Sequence, residues 1–120
     1  MTLPTGTVTF LFTDIEGSTV RWEDSPDAMR DALSRHNEIM RAAIERHDGV
    51  LFETAGDSFV IAFDAAPPAL AAALWAQRER HREAWAAPVG SLRVRMALHT
   101  GHAEMRVDGY FAQHTLSRQA

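Results

Sequence analysis

Two aspartates in this sequence stand where backbone can come close to a bound group. Asp14 closes the run "VTFLFTD" and is followed by "IEGST"; Asp57 closes "ETAGD" and precedes "SFVIAF". Glycine lies near each of them, at Gly17 and Gly56, and glycine lets the main chain approach a ligand closely. After Asp14 the chain offers consecutive N–H groups at Glu16, Gly17, Ser18 and Thr19, a pattern able to cradle phosphate. Paired carboxylates beside a phosphate cradle suit Mg²⁺ or Mn²⁺, hard ions that favour oxygen ligands and a partner bringing phosphates of its own. Two such ions can activate an attacking oxygen and steady a leaving one. The competing reading is plain: these are surface aspartates at the turns of a structural domain.

The elements that must position these acids can be read from pattern. Val8 to Thr13 is rich in β-branched and aromatic residues and reads as a buried strand. Ser25 is placed to cap a helix entered through Pro26, with Asp27 and Asp31 near its positive end. Met29, Leu33, Ile39, Met40, Ala43 and Ile44 then roughly keep a helical period, and Gly49 in "HDGV" is placed to stop it. "VLFET" and "SFVIAF" are strand-like and joined by "AGD", a hairpin signal. "DAAPP" breaks the chain, and a second helix is predicted from Ala69 to about Trp85. "APVGS" reads as a loop. "LRVRMALHTG" alternates apolar and polar residues with a period of two, so it is a half-exposed strand. "AEMRVDGYF" has room for another short strand. The predicted order β-α-β-β-α-β is the split βαβ of an α+β, ferredoxin-like sandwich, an antiparallel sheet covered by two helices. In that topology the first strand lies beside the second strand of the hairpin, so Asp14 and Asp57 become neighbours.

At 120 residues the chain fits one domain, 1–120, with enough length for a hydrophobic core. It has no cysteine, which excludes thiol chemistry and Cys-based zinc sites and fits a cytoplasmic location. No apolar stretch approaches membrane-spanning length, so membrane insertion is not expected. All 12 cationic Lys or Arg side chains are arginine, and the formal net charge of −4 argues against non-specific nucleic-acid binding.

Three blocks in order, "FLFTDIEGST", "FETAGDSFVIAF" and "LRVRMALHTG", resemble the class III adenylyl/guanylyl cyclase catalytic domain of bacterial type, over roughly Val8 to Gly101. The resemblance implies a dimeric enzyme, homodimer or heterodimer with a related cyclase domain. It would convert ATP or GTP to cyclic nucleotide and pyrophosphate, using two Mg²⁺ or Mn²⁺ ions. It implies Asp14, Asp57 and the backbone carbonyl of Ile15 as metal ligands, and the amides of Gly17, Ser18 and Thr19 as phosphate contacts. Adenylyl members usually carry lysine four residues before the second metal aspartate; Glu53 stands there. Glutamate only accepts hydrogen bonds and lysine only donates them. Glu53 therefore either favours guanine, which offers N1–H and N2–H donors, or is a solvent-facing residue in a domain without base selection.

The family's later block has asparagine followed four residues on by an arginine that stabilises the transition state. In "YFAQHTLSRQA", Ser117 falls near the asparagine position and the arginine would fall past Ala120. Arg118 is one residue beyond Ser117, which on a helix points to another face. Asp108 is out of register for the family's base-reading aspartate. An arginine of this kind contributes on the order of 10³–10⁵ in rate in other phosphoryl-transfer systems. The expectation is an incomplete cyclase domain with little or no activity alone, able to complete a site with an intact homologue. The alternatives are a catalytically silent cyclase-like nucleotide-binding or dimerisation module in signalling, and a bare structural domain.

The remaining polar and aromatic residues have simpler readings. His36 and His47 share a helix face but lack a third zinc ligand, so both are expected at the surface. His99 is expected to pack or make a polar contact. Trp22, Trp75 and Trp85 are expected as core or interface anchors. "RERHRE" reads as a solvated helix end. Arg93 and Arg95 point to one side of their strand, either solvated or lining a phosphate channel.

Overall fold

The computed structural model describes residues 4–90, 92–106 and 109–112. Its elements, in chain order, are β1 (Gly6–Ile15), α1 (Ser18–Asp24), α2 (Pro26–Arg46), β2 (Val50–Ala55), β3 (Ser58–Phe63), α3 (Ala66–Arg82), β4 (Val94–Arg106) and β5 (Gly109–Ala112). The strands form one sheet in the order β2-β3-β1-β4-β5. All its pairings are antiparallel, with β1 between β3 and β4. The first four strands reproduce the predicted ferredoxin-like arrangement. The short helix α1 and the strand β5 are additional to it.

Alternation along the strands divides the sheet into two faces. Leu11 pairs with Ile61 and with Leu98, and Thr13 pairs with Phe59 and with Met96. This face lies under the helices. Leu11, Phe59, Ile61 and Phe63 are buried against Ile39, Met40 and Ala43 of α2 and Ala69, Ala72, Ala73 and Ala76 of α3. Each fully buried large apolar side chain contributes about 1.5–3 kcal/mol, so this layer dominates the fold's stability. The alanines of α3 let that helix sit close to its neighbours. A second group, Ile15, Met29, Leu92 and Val94, anchors the C-terminal end of β1 to the start of α2.

Several local expectations are corrected. Ser25 is the N-cap residue of α2, with Pro26 and Asp27 in the first turn as expected, but its side chain makes no capping hydrogen bond. Its N–H donates to the Arg21 carbonyl and its own carbonyl accepts from the Met29 N–H, so it serves as the corner between α1 and α2. Pro67 and Pro68 do not break the chain before α3; they lie in its first turn, where a missing N–H has no partner to lose. That helix also ends at Arg82, short of Trp85. At the end of α2 the left-handed residue is Asp48, with φ 57°, not Gly49. Gly49 is needed for space: a Cβ there would lie 2.8 Å from the Phe63 ring and 2.9 Å from Ile61 Cγ2.

The helix layer also holds charge. Arg80, in the segment expected to be solvated, is only 2% exposed. Its guanidinium donates to Gln77 Oε1 at 2.7 Å and faces His36 Nδ1 at 3.4 Å. Arginine can only donate, so Nδ1 is the acceptor and the imidazole is neutral. His36 is likewise buried, not at the surface, and stands edge-on to Phe59. Burial, then the Arg80 charge, lowers the His36 pKa from 6.5 to about 4; burial lowers that of Arg80 to about 10. His47 hydrogen-bonds the Ala43 carbonyl instead of joining His36. Trp75 and Trp85 pack on the main core, and Trp22 on the second group, as anchors.

Two outcomes follow from this packing. A histidine neutral in the fold but protonated when unfolded makes stability fall with acid. The His36 contribution should be complete above pH 6.5 and lost as pH drops towards 4, about 3 kcal/mol in all. Urea midpoints across this window should show the slope, and His36→Gln should flatten it. Gly49→Ala should destabilise by about 1–3 kcal/mol through overpacking against Phe63 and Ile61, seen as a lowered thermal midpoint.

Candidate functional site

The sheet face turned away from the helices changes character along β1. At one end it is apolar: Val8 and Phe10 are buried with Ala62 and Ala103. At the other end it is ionic. Asp14 is paired in register with Arg95, and Phe12, one step earlier on the same face, is paired with Val60 and Ala97. Asp14 lies inside β1 as its penultimate residue, so the strand runs further than Thr13. Ile15 buries its side chain at 2% exposure beside Val94, which leaves only its main chain to serve a ligand.

Asp57 reaches the same end from the neighbouring hairpin. Ala55 pairs with Ser58, so Gly56 and Asp57 make the whole connection between β2 and β3. Gly56 takes φ 61°, the left-handed region that a residue with Cβ enters at a cost. Because β3 runs antiparallel to β1, the start of β3 lies beside the end of β1. The two aspartates are thus brought together, as topology predicts.

Arg95 ties the cluster together. Its Nε and Nη2 donate to Asp14 Oδ1 and Oδ2 at 2.8 Å each, a two-pronged pairing across the strands. The arginine pKa is raised first by these hydrogen bonds and the Asp14 charge, and further by the charges of Glu16 and Asp57. Three acids therefore act on one exposed guanidinium. Arg95 was left open by the sequence between solvent and a phosphate channel. Its partner is set by strand register, which no local motif encodes.

Glu53 joins this face through an irregularity. Leu51 pairs with Ile61 on the helix side, yet Glu53 pairs with Val60, one residue further along β3, not two. Phe52 is the extra residue of a β-bulge, and bulges commonly re-aim a side chain next to a site. Without it, alternation would turn Glu53 towards the helices. With it, Glu53 shares the face of Val60, Phe12 and Asp14.

The segment read as a phosphate cradle keeps part of its predicted backbone geometry. Gly17, at φ 67°, leads into α1 at Ser18. The first amides of a helix have no partner within it, so Ser18 and Thr19 N–H are available by position. The Glu16 N–H is not, because it donates to the Arg93 carbonyl at 2.8 Å. An open cleft of about 560 Å³ lies alongside, lined by Glu16, Gly17, Val20, Arg21, Val89 and Arg93. Two of its lining residues are joined, Arg21 donating to the Val89 carbonyl at 2.7 Å. Ser117, Arg118 and Asp108 lie outside the described residues. His99 pairs with Phe10, and its ring stands beside Gly101, apart from the ionic end.

As a metal site the cluster is a half-shell. Among the described residues no group of three or more His, Asp or Glu is arranged to hold an ion. What the chain offers is two carboxylates from adjacent strand ends and a main-chain carbonyl at Ile15. That donor set fits magnesium, which keeps several ligands from water or phosphate. The guanidinium already neutralising Asp14 shows that this end of the sheet accommodates a cation.

The family of the adenylate and guanylate cyclase catalytic domain matches residues 2–115. An adenylate cyclase of Lachancea kluyveri is 40% identical over 89 residues, 74% of this chain and 5% of that protein. An uncharacterized protein of Mycobacterium tuberculosis is 38% identical over 119 residues, 98% of this chain and 39% of that one. The chain therefore spans well under two thirds of the length of these relatives. Among solved structures, an adenylate cyclase from Trypanosoma brucei in its monomeric state superposes with a TM-score of 0.81 at 29% identity, covering 92% of this chain and 64% of that one. The guanylate cyclase domain of RhGC from Catenaria anguillulae, in complex with GTP, shares the fold with a TM-score of 0.71 at 21% identity, covering 92% and 68%.

The hairpin that delivers Asp57 can be probed without touching an acid. Gly56→Ala meets no atom within 4 Å, so its cost is purely conformational. A loss of about 1–2 kcal/mol is expected, and a smaller one for Gly56→Asn, which tolerates left-handed backbone; denaturant midpoints for the two variants check the order.

Proposed function

The chain belongs to the adenylate and guanylate cyclase catalytic domain family, and from that premise we propose that it carries the metal-holding half of a nucleotidyl cyclase site. The reaction is conversion of ATP or GTP to the cyclic nucleotide and pyrophosphate, at an interface with a second cyclase domain. The observation that carries this reading is the placement of Asp14 and Asp57 at adjacent strand ends, with Asp14 held in a two-pronged pairing by the exposed Arg95.

Asp14 and Asp57, with the Ile15 carbonyl, would hold two Mg²⁺ or Mn²⁺ ions. Such ions supply activation of an attacking oxygen and neutralisation of a leaving pyrophosphate. The N–H groups of Gly17, Ser18 and Thr19 would orient the phosphates. Glu53, aimed onto this face by the bulge, would accept hydrogen bonds from guanine N1–H and N2–H, which favours GTP. No described helix is long and apolar enough to cross a membrane. In this reading a partner domain supplies the family's transition-state arginine, and the two chains share one site. In the alternative reading the domain binds nucleotide or dimerises without chemistry.

Calorimetry with Mn²⁺ and a non-hydrolysable triphosphate should show binding that Asp57→Ala abolishes; a wild-type chain that binds neither would leave a structural domain only. Turnover measured alone, and mixed with an intact cyclase mutated at its metal aspartates, separates the two remaining readings. Product in the mixture alone establishes a half-site, and none in either establishes the silent module. Glu53→Lys should weaken GTP binding relative to ATP.

A further inference from the structure

Both oxygens of Asp14 face the same guanidinium, at equal distances of 2.8 Å. An ionised carboxylate offers about four lone-pair positions, so two remain. A dication using them would lie only a few ångströms from Arg95, and like charges at that range repel strongly. The side chains are not locked in place: Arg95 is 66% and Asp14 33% exposed. At that exposure neither group has to be desolvated to part. Arg95 also sits on β4, a different strand from either aspartate, so it can swing away without disturbing Asp14 or the hairpin.

We propose that Arg95 is a built-in competitor for the metal at Asp14. In the metal-free chain its guanidinium holds the carboxylate, and a divalent ion enters by exchanging with it. The device keeps Asp14 paired while it waits, and it raises the concentration of metal needed to load the site. The inference rests on the metal-holding role given to Asp14 above. Arg95 is here a positioning residue, acting on the metal through Asp14.

The test is Mn²⁺ affinity without nucleotide, measured by calorimetry on the full chain and on Arg95→Gln, Arg95→Lys, Arg93→Gln and Asp14→Asn, each checked for folding by circular dichroism. Arg95→Gln should bind Mn²⁺ about tenfold more tightly. Arg95→Lys keeps the charge but loses the two-pronged grip, so it should fall between Arg95→Gln and wild type. Arg93→Gln, which removes an equal charge nearby, should stay close to wild type, and Asp14→Asn should bind least. If Arg95→Gln matches wild type, or if Arg93→Gln tightens binding as much as Arg95→Gln, the exchange is wrong while the metal site survives. If no variant binds Mn²⁺, the metal-holding role fails and the exchange falls with it.

Discussion

The register of β1 between β3 and β4 is the constraint on which this molecule depends. A slip of one residue in either pairing would turn every side chain of β1 to the opposite face. Leu11 and Thr13 would leave the helices, and Asp14 would point into the apolar layer now filled by Phe59 and Ile61. The register is held because burial on the helix side is so complete. Leu11, Ile61 and Phe63 have almost no exposed surface, and Ile15 locks the last step against Val94 and Met29. The core thereby fixes which face the acids occupy. Chemistry at the sheet end is a consequence of packing two residues away.

The same logic explains why the acidic cluster tolerates being assembled. Acids brought together without a cation would repel one another and favour protonation of one of them. Here a cross-strand arginine lies opposite Asp14, at a position where alternation sends it to the same face. Arg80 presents the contrasting case. It is buried with no carboxylate among its described partners, only Gln77 and a neutral imidazole. One arginine neutralises a site open to solvent; the other is carried inside the helix layer, where its guanidinium meets only uncharged acceptors.

Much of this was legible in the sequence, for physical reasons that differ by element. The strand Val8–Thr13 and the hairpin around Gly56 were readable because branched apolar runs and a glycine turn are local signals. Their neighbourhood was readable because the order of elements leaves few ways to form one sheet. The placement of Asp14 beside Asp57 therefore followed from topology alone. What escaped was set by contacts between segments distant in sequence. Arg95 meets Asp14 across 81 residues. His36 meets Arg80 across 44. Gly49 looked like a helix stop, yet its missing Cβ answers to the Phe63 ring, and Asp48 takes the left-handed turn. Ser25 takes the N-cap position its type and place fit, but α1 immediately before it makes it a corner as well, and its hydroxyl does not cap.

Glu53 shows how a local irregularity decides the direction of a side chain. Strict alternation from Leu51, which faces the helices opposite Ile61, would place residue 53 under the helices as well. An ionised carboxylate there would be buried among apolar side chains, at a cost of several kcal/mol. The bulge at Phe52 removes that conflict by advancing the phase of β2 by one residue before Glu53 is reached. It therefore does two things at once: it keeps a charge out of the core, and it delivers an acceptor to the face that holds Asp14. A strand designed only to pack would have no need of the extra residue, since an apolar side chain at 53 would satisfy the regular phase. The irregularity thus sets which face of the sheet Glu53 occupies, and with it which acids share that face.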